Sequence, residues 1–225
     1  TFVVTPDTTM RYYLVTNTRA DGTGTWTRFM FPFNTKTTIA TAPLQDSVEL
    51  EMYTTGGVSY PVMFVSNGHA TGLGLRAARL NPTSGAWTTA VLVDALTGTG
   101  TTRMSTDSSG STIVLAYHDD TTNVARYVVS VNGGTSWSSA TTISGASQGE
   151  GVSVKLNPVT GYPSMLYYAK AANKAVYAYC STAAASCSSA GNWSTVDIEN
   201  GLLGISGIGA NSEGMLGTGI TFDST

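Results

Sequence analysis

Charge is what this sequence has least of: only 11% of its 225 residues are Asp, Glu, Lys or Arg. Those few nearly balance, with Lys+Arg 11 against Asp+Glu 14 and a net charge of -3, and no basic run is present. Such a surface has little with which to displace the counterions of a phosphate backbone, so nucleic acid is not expected as a partner. Histidine occurs twice, as His69 and His118, and no Ser-His-Asp arrangement can be argued from so few. Cysteine also occurs twice, as Cys180 and Cys187 with six residues between them. No third ligand stands nearby, so a metal site is not expected, nor is a cofactor. A local disulfide closing a hairpin loop is the expectation, with free thiols as the alternative, and it points to an extracellular or cell-surface setting. No apolar run approaches the ~20 residues that span a bilayer, so no membrane span is expected. Thr1 opens in mid-strand, as in a chain whose leader has been removed.

In place of charge there are 25 glycines, many Thr and Ser, and 41% hydrophobic residues. Thr is β-branched and favours strands, and the apolar share is enough to offset chain entropy. Residues 107–143 show the pattern best. Three turns rich in Gly, Asn and Asp separate β-branched and aromatic runs, which is a meander of antiparallel strands.

The same pattern recurs along the chain. Gly57, Gly110, Gly161 and Gly214 each end a polar turn and are 53, 51 and 53 residues apart. Trp26, Trp87, Trp137 and Trp193 each precede a final β run and are 61, 50 and 56 apart. Two landmarks in phase imply a repeated four-stranded unit, A to D, of ~50 residues. In the clearest unit A is about 101–107, B 112–118, C 125–131 and D 137–143. The fold expected is all-β, a β-propeller of four or five four-stranded antiparallel blades in a single domain. Blade units fall at about 45–97, 98–145 and 146–199. A further blade is shared between 1–40 and 200–225, its strands supplied by both ends of the chain. There the chain starts in a B strand and ends after an A–B pair at 204–222, so two B strands compete for one slot.

Ser130-Val-Asn-Gly-Gly-Thr-Ser-Trp137 resembles the Asp-box of BNR repeats, Ser/Thr-x-Asp-x-Gly-x-x-Trp, found in sialidases and many non-enzymatic propellers. Asn132 stands where that family has Asp. Thr18 to Trp26 carries a looser copy, with Asp21 at the Asp position and Thr23 in place of Gly. The resemblance implies a structural turn between strands C and D, on the face away from an active site, and implies nothing direct about activity.

Sialidase chemistry, as the resemblance implies it, needs three arginines for a substrate carboxylate. Arg11, Arg79 and Arg126 fall in comparable C strands, where their stems are expected to cover sheet faces. Arg103 alone starts an A strand near the expected central funnel. Glu49 and Glu51 share one face of an A strand; a solvated edge is favoured over a catalytic pair. His118, Asp119 and Asp120 cluster at a B-to-C bend, where a polar hairpin with Asp capping its own turn is the competing reading. His69, Tyr168 and Lys170 occupy the matching bends of neighbouring units. The tryptophans are expected to pack between blades rather than stack on sugars. Asn192-Trp-Ser has the form of a glycosylation sequon.

These readings converge on a non-catalytic binding or display module of a cell surface, an adhesin-like part of a longer chain. Its candidate ligand residues are His69, Arg103, His118, Asp119, Asp120, Tyr168 and Lys170, and its partner a glycan or a surface protein. The alternatives are a divergent sialidase-like glycoside hydrolase and a structural propeller that assembles as a homo-oligomer.

Overall fold

The computed structural model describes residues 12–20, 23–31, 35–41, 48–66, 74–81, 83–88, 91–96, 103–145, 149–172, 174–200 and 219–222; for β1–β3 below and for positions 48, 170, 199 and 200 it describes the backbone alone. The architecture is all-β, with only short 3-10 turns among the described residues.

Three antiparallel four-stranded sheets dominate. The first holds β4 (Val48–Thr55), β5 (Val58–Ser66), β6 (Leu75–Arg79) and β7 (Val91–Asp94). The middle one holds β8 (Met104–Ser109), β9 (Thr112–Asp119), β10 (Val124–Ser130) and β11 (Thr141–Thr142). The last holds β12 (Glu150–Leu156), β13 (Pro163–Ala169), β14 (Lys174–Cys180) and β15 (Trp193–Asn200). A separate three-stranded sheet joins β1 (Tyr12–Ala20), β2 (Thr23–Phe31) and β3 (Thr35–Thr41). In every sheet the strands pair in chain order, the outcome expected of short turns between β-branched runs.

The three larger sheets stack face to face, and the middle one is buried on both faces. Along β9, Ile113, Leu115 and Tyr117 join Val62, Phe64, Leu75 and Ala77 of the first sheet. The alternate residues Val114 and Ala116 join Val154, Met165 and Tyr167 of the last sheet. Side chains of a strand alternate between faces, so a strand covered on both sides must read as an unbroken apolar run. Ile113-Val-Leu-Ala-Tyr117 is that run, and each of its side chains is worth ~1.5–3 kcal/mol when buried, Ala less.

The first strands of the sheets lie side by side, β8 against both β4 and β12. Here β8 uses its alternation for hydrogen bonding. Ser105 Oγ accepts from Val154 N–H and Asp107 Oδ2 from Leu156 N–H, at 3.1 and 2.7 Å. On the other side Ser108 Oγ donates to the Met52 carbonyl, and Thr54 N–H donates to the Gly110 carbonyl at 2.7 Å. Exposed sheet edges invite unwanted pairing, and these side chains satisfy them from the neighbouring sheet.

Several expectations change. Trp26 does not stand where the other tryptophans do. It sits inside β2, paired to Asn17 on one side and Ala40 on the other, whereas Trp87, Trp137 and Trp193 lie between third and fourth strands or open the fourth. Ala20 pairs directly with Thr23, so the stretch carrying the looser Asp-box copy places Thr18 in β1 and Trp26 in β2, two strands paired along their length. The D strand expected over 137–143 shrinks to Thr141–Thr142, because Ser138 Oγ takes the Val129 N–H at 3.1 Å that a ladder would have used. The expected B strand at the start of the chain and the turn at 211–214 lie outside the described residues.

Candidate functional site

The end of the sheets that carries the β9–β10 turn holds most of the expected site. Asp119 ends β9, and Asn123, with φ of 54°, closes the turn back into β10. The Asp119 carboxylate accepts from Thr121 N–H at 3.0 Å, from Thr122 Oγ1 at 2.7 Å and from Arg126 Nη2 at 2.7 Å, with 3% of its side chain exposed. Its oxygens are thus committed to the turn and to one ion pair, as in a polar hairpin capped by its own Asp.

Arg126 lies opposite Tyr117 across the hairpin and also reaches Asp94 Oδ2 of β7 at 3.5 Å. Tyr117 donates its hydroxyl to the same oxygen at 2.5 Å. Burial first, and then the Asp94 charge, hold the Tyr117 phenol far above its ordinary range, so it stays a donor. Beyond the face-covering role expected of its stem, the Arg126 guanidinium bridges carboxylates of two sheets. Arg79 likewise donates through Nη1 to Tyr53 Oη at 3.1 Å.

His118 is nearly buried, and its Nδ1 lies 2.8 Å from Asp120 Oδ1. Its backbone N–H donates to the Arg103 carbonyl at 3.1 Å, so Arg103, His118, Asp119 and Asp120 are brought together. Tyr168, on β13, pairs with Glu150 and accepts from Gly149 N–H at 3.0 Å. Gly149 has φ of 113°, and a Cβ there would lie 2.1 Å from the Ala125 nitrogen. Ala125 is the strand partner of His118, so the Tyr168 end of the last sheet abuts the His118 end of the middle one. Lys170 opens the short 3-10 turn Lys170–Ala172 just beyond. His69 lies outside the described residues.

A second polar zone runs along the first strands. Glu49 accepts from Thr106 Oγ1 at 3.5 Å and Glu51 Oε1 lies 3.4 Å from Ser108 Oγ, while Lys155 pairs with Asp107 at 3.2 Å. Burial raises the Glu49 carboxyl above its ordinary value; the Thr106 hydrogen bond opposes this, Glu51 adds to it and Lys155 opposes it. Glu49 is half-buried rather than a freely solvated edge. Sequence reading missed Asp94, Tyr117, Thr106 and Lys155. The hairpin register places Arg126 opposite Tyr117 and was available from the sequence; the meeting with Asp94 was not.

Among the described residues no three of His, Cys, Asp and Glu group as a metal site, and no helix is long and apolar enough to cross a membrane. Cys180 and Cys187 form a disulfide. No family model matches the chain, and no curated protein matches it.

Proposed function

We propose that this chain is a non-catalytic extracellular or cell-surface binding module that recognises a glycan or a protein through the loops at the Asp119–Tyr168 end. The observation that carries the reading is the internal commitment of the charged groups there. Asp119 is held by three donors, Arg126 by two carboxylates, and Asp120 by His118. Acid–base catalysis uses groups poised toward a substrate, and these groups are turned on one another. A hydroxyl- and amide-rich surface remains for recognition. The disulfide supports an oxidising compartment.

In the same reading the sheets are blades of a small β-propeller, four or five in number, with the two ends of the chain sharing one blade and an Asp-box-like turn after β10. Its support is the burial of the middle sheet on both faces by neighbours of the same construction, an arrangement whose natural completion is a ring. The test is a glycan array paired with turnover of a fluorogenic sialoside. Binding without hydrolysis is the expected result, and measurable hydrolysis rejects it.

A further inference from the structure

Asn132-Gly133 is a chemically labile pair set inside a closely bonded turn. In an open chain the Gly133 amide nitrogen, giving up its proton, attacks Cγ of the Asn132 side chain. The new N–Cγ bond closes an imide ring, the Cγ–Nδ2 bond breaks, and Nδ2 leaves with the proton as ammonia. Water then opens the ring at either carbonyl, leaving aspartate or isoaspartate. Glycine eases the ring closure, because it has no side chain in the way and restricts the backbone least. The chain carries three such pairs, at 67–68, 132–133 and 200–201, and the middle one lies wholly among residues whose side chains are described.

There the fold commits both reacting groups. The Gly133 N–H donates to the Ser111 carbonyl at 2.8 Å, which ties the attacking nitrogen to the turn between β8 and β9. The carboxamide is held at both of its ends. Its Oδ1 accepts from Ser130 Oγ at 2.9 Å and from Ser136 N–H at 3.0 Å, and its Nδ2 donates to Ser136 Oγ at 2.8 Å. Gly133 is also buried, packed so closely on Tyr53 of the first sheet that its backbone has no room to swing. Asn132 itself is exposed, so water is at hand and the obstacle is geometric. Turning Cγ onto the Gly133 nitrogen requires these bonds to break together.

We infer that Asn132 is a deamidation site which the fold keeps shut, and that its conversion proceeds only through opening of the 131–140 turn. Isoaspartate runs the backbone through the side chain and inserts one extra carbon ahead of Gly133. That shifts Gly133 off the Tyr53 ring and Gly134 N–H off Ser130 Oγ, its acceptor at 2.8 Å. Each such conversion is a one-way loss of the hold this turn has on the first sheet.

Peptide mass mapping of the full chain, incubated at mildly alkaline pH with and without denaturant, tests it. Asn132 is expected to convert at least ~tenfold more slowly in the native chain, because only the locally opened turn reacts. Equal rates in the two conditions overturn the proposal. Ser130→Ala and, more mildly, Ser136→Ala should each raise the native rate several-fold and leave the denatured rate unchanged. Hydrogen exchange at Leu115 reports whether the middle sheet stays intact, and Ser136→Ala decides if Ser130→Ala loses that protection. A native rate that stays unchanged in an intact variant overturns the assignment of the lock to these bonds.

Discussion

Between β10 and β11 the chain turns through 131–140, and between β14 and β15 through 181–192. Both turns lean on the preceding sheet, and they are built differently. The earlier one is held by hydrogen bonds. Ser130 Oγ accepts from Gly134 N–H at 2.8 Å, and Asn132 Oδ1 accepts from Ser136 N–H at 3.0 Å. Its Gly133 sits so close to the Tyr53 ring of the first sheet that a Cβ would collide with it. The later one is held by the Cys180–Cys187 disulfide and two 3-10 turns, and it offers carbonyls instead. Ala184 O accepts from Tyr127 Oη at 3.2 Å and Ser188 O from Thr141 Oγ1 at 2.6 Å, both donors belonging to the middle sheet. Each turn then delivers a tryptophan edge-on to an aromatic of the sheet before it, Trp137 to Phe64 at 5.3 Å and Trp193 to Tyr127 at 5.1 Å. One repeated position accepts two kinds of local chemistry because what it must supply is a clamp on the neighbouring sheet.

The largest effect that separates the two belongs to Gly133. It has φ of 64°, and a Cβ there would lie 2.6 Å from Tyr53 Cε2. Gly133→Ala combines a left-handed backbone with overpacking and is expected to cost ~2–4 kcal/mol in chemical unfolding. A loss below ~1 kcal/mol would show that the turn is not pinned to Tyr53. In the other turn, Cys180→Ser with Cys187→Ser opens a short loop and is expected to cost ~2–3 kcal/mol, read as a lowered denaturation midpoint. An unchanged midpoint would mean that the 3-10 turns hold the clamp unaided.

The tryptophans sharpen the comparison. Trp193 Nε1 donates to the Cys187 carbonyl at 2.8 Å, whereas Trp137 Nε1 is buried with no hydrogen-bond partner among the described residues. Trp193→Phe should cost ~1 kcal/mol more than Trp137→Phe, because only the former abandons a made bond. Equal losses would contradict the contrast. Asn132→Asp keeps the acceptor for Ser136 N–H and gives up the Nδ2 donation to Ser136 Oγ. The net change is expected within ~0.5 kcal/mol, and a large loss would set this turn apart from the Asp-box it resembles.

The smallest effect is a pH dependence outside both turns. Burial raises the Glu49 carboxyl, so folding favours its protonated form. That contribution is present below the ordinary value of 4.5 and is lost as pH rises through the raised value. The carboxyl is only half-buried, so solvent screening keeps that contribution small. Glu49→Gln should flatten this part of the stability–pH curve, and an unaltered slope assigns it to another group.

Much of the middle sheet was legible because its information is local. Polar turns at Gly110 and around Asn123 bracket β9, and the apolar run Ile113–Tyr117 lies between them. The four-tryptophan landmark misled at Trp26. There Ala20 pairs directly with Thr23, and a single aromatic carries no information about which strand it will occupy. The candidate site was legible as a place and not as a network. His118, Asp119 and Asp120 are contiguous, so their meeting was assured. Asp94 reaches Arg126 only because the first sheet packs directly on the middle one.

The sequence by itself determined that short strands would pair in order, with turns where glycine, asparagine and aspartate relieve the backbone. Those are preferences of adjacent residues. Tertiary structure decided which faces are covered, which carboxylate Arg126 and Tyr117 share, and which first-strand hydroxyls meet a neighbour's backbone. Such contacts join residues 23 to 67 positions apart, and they exist only once sheets apolar on both faces have stacked to exclude water.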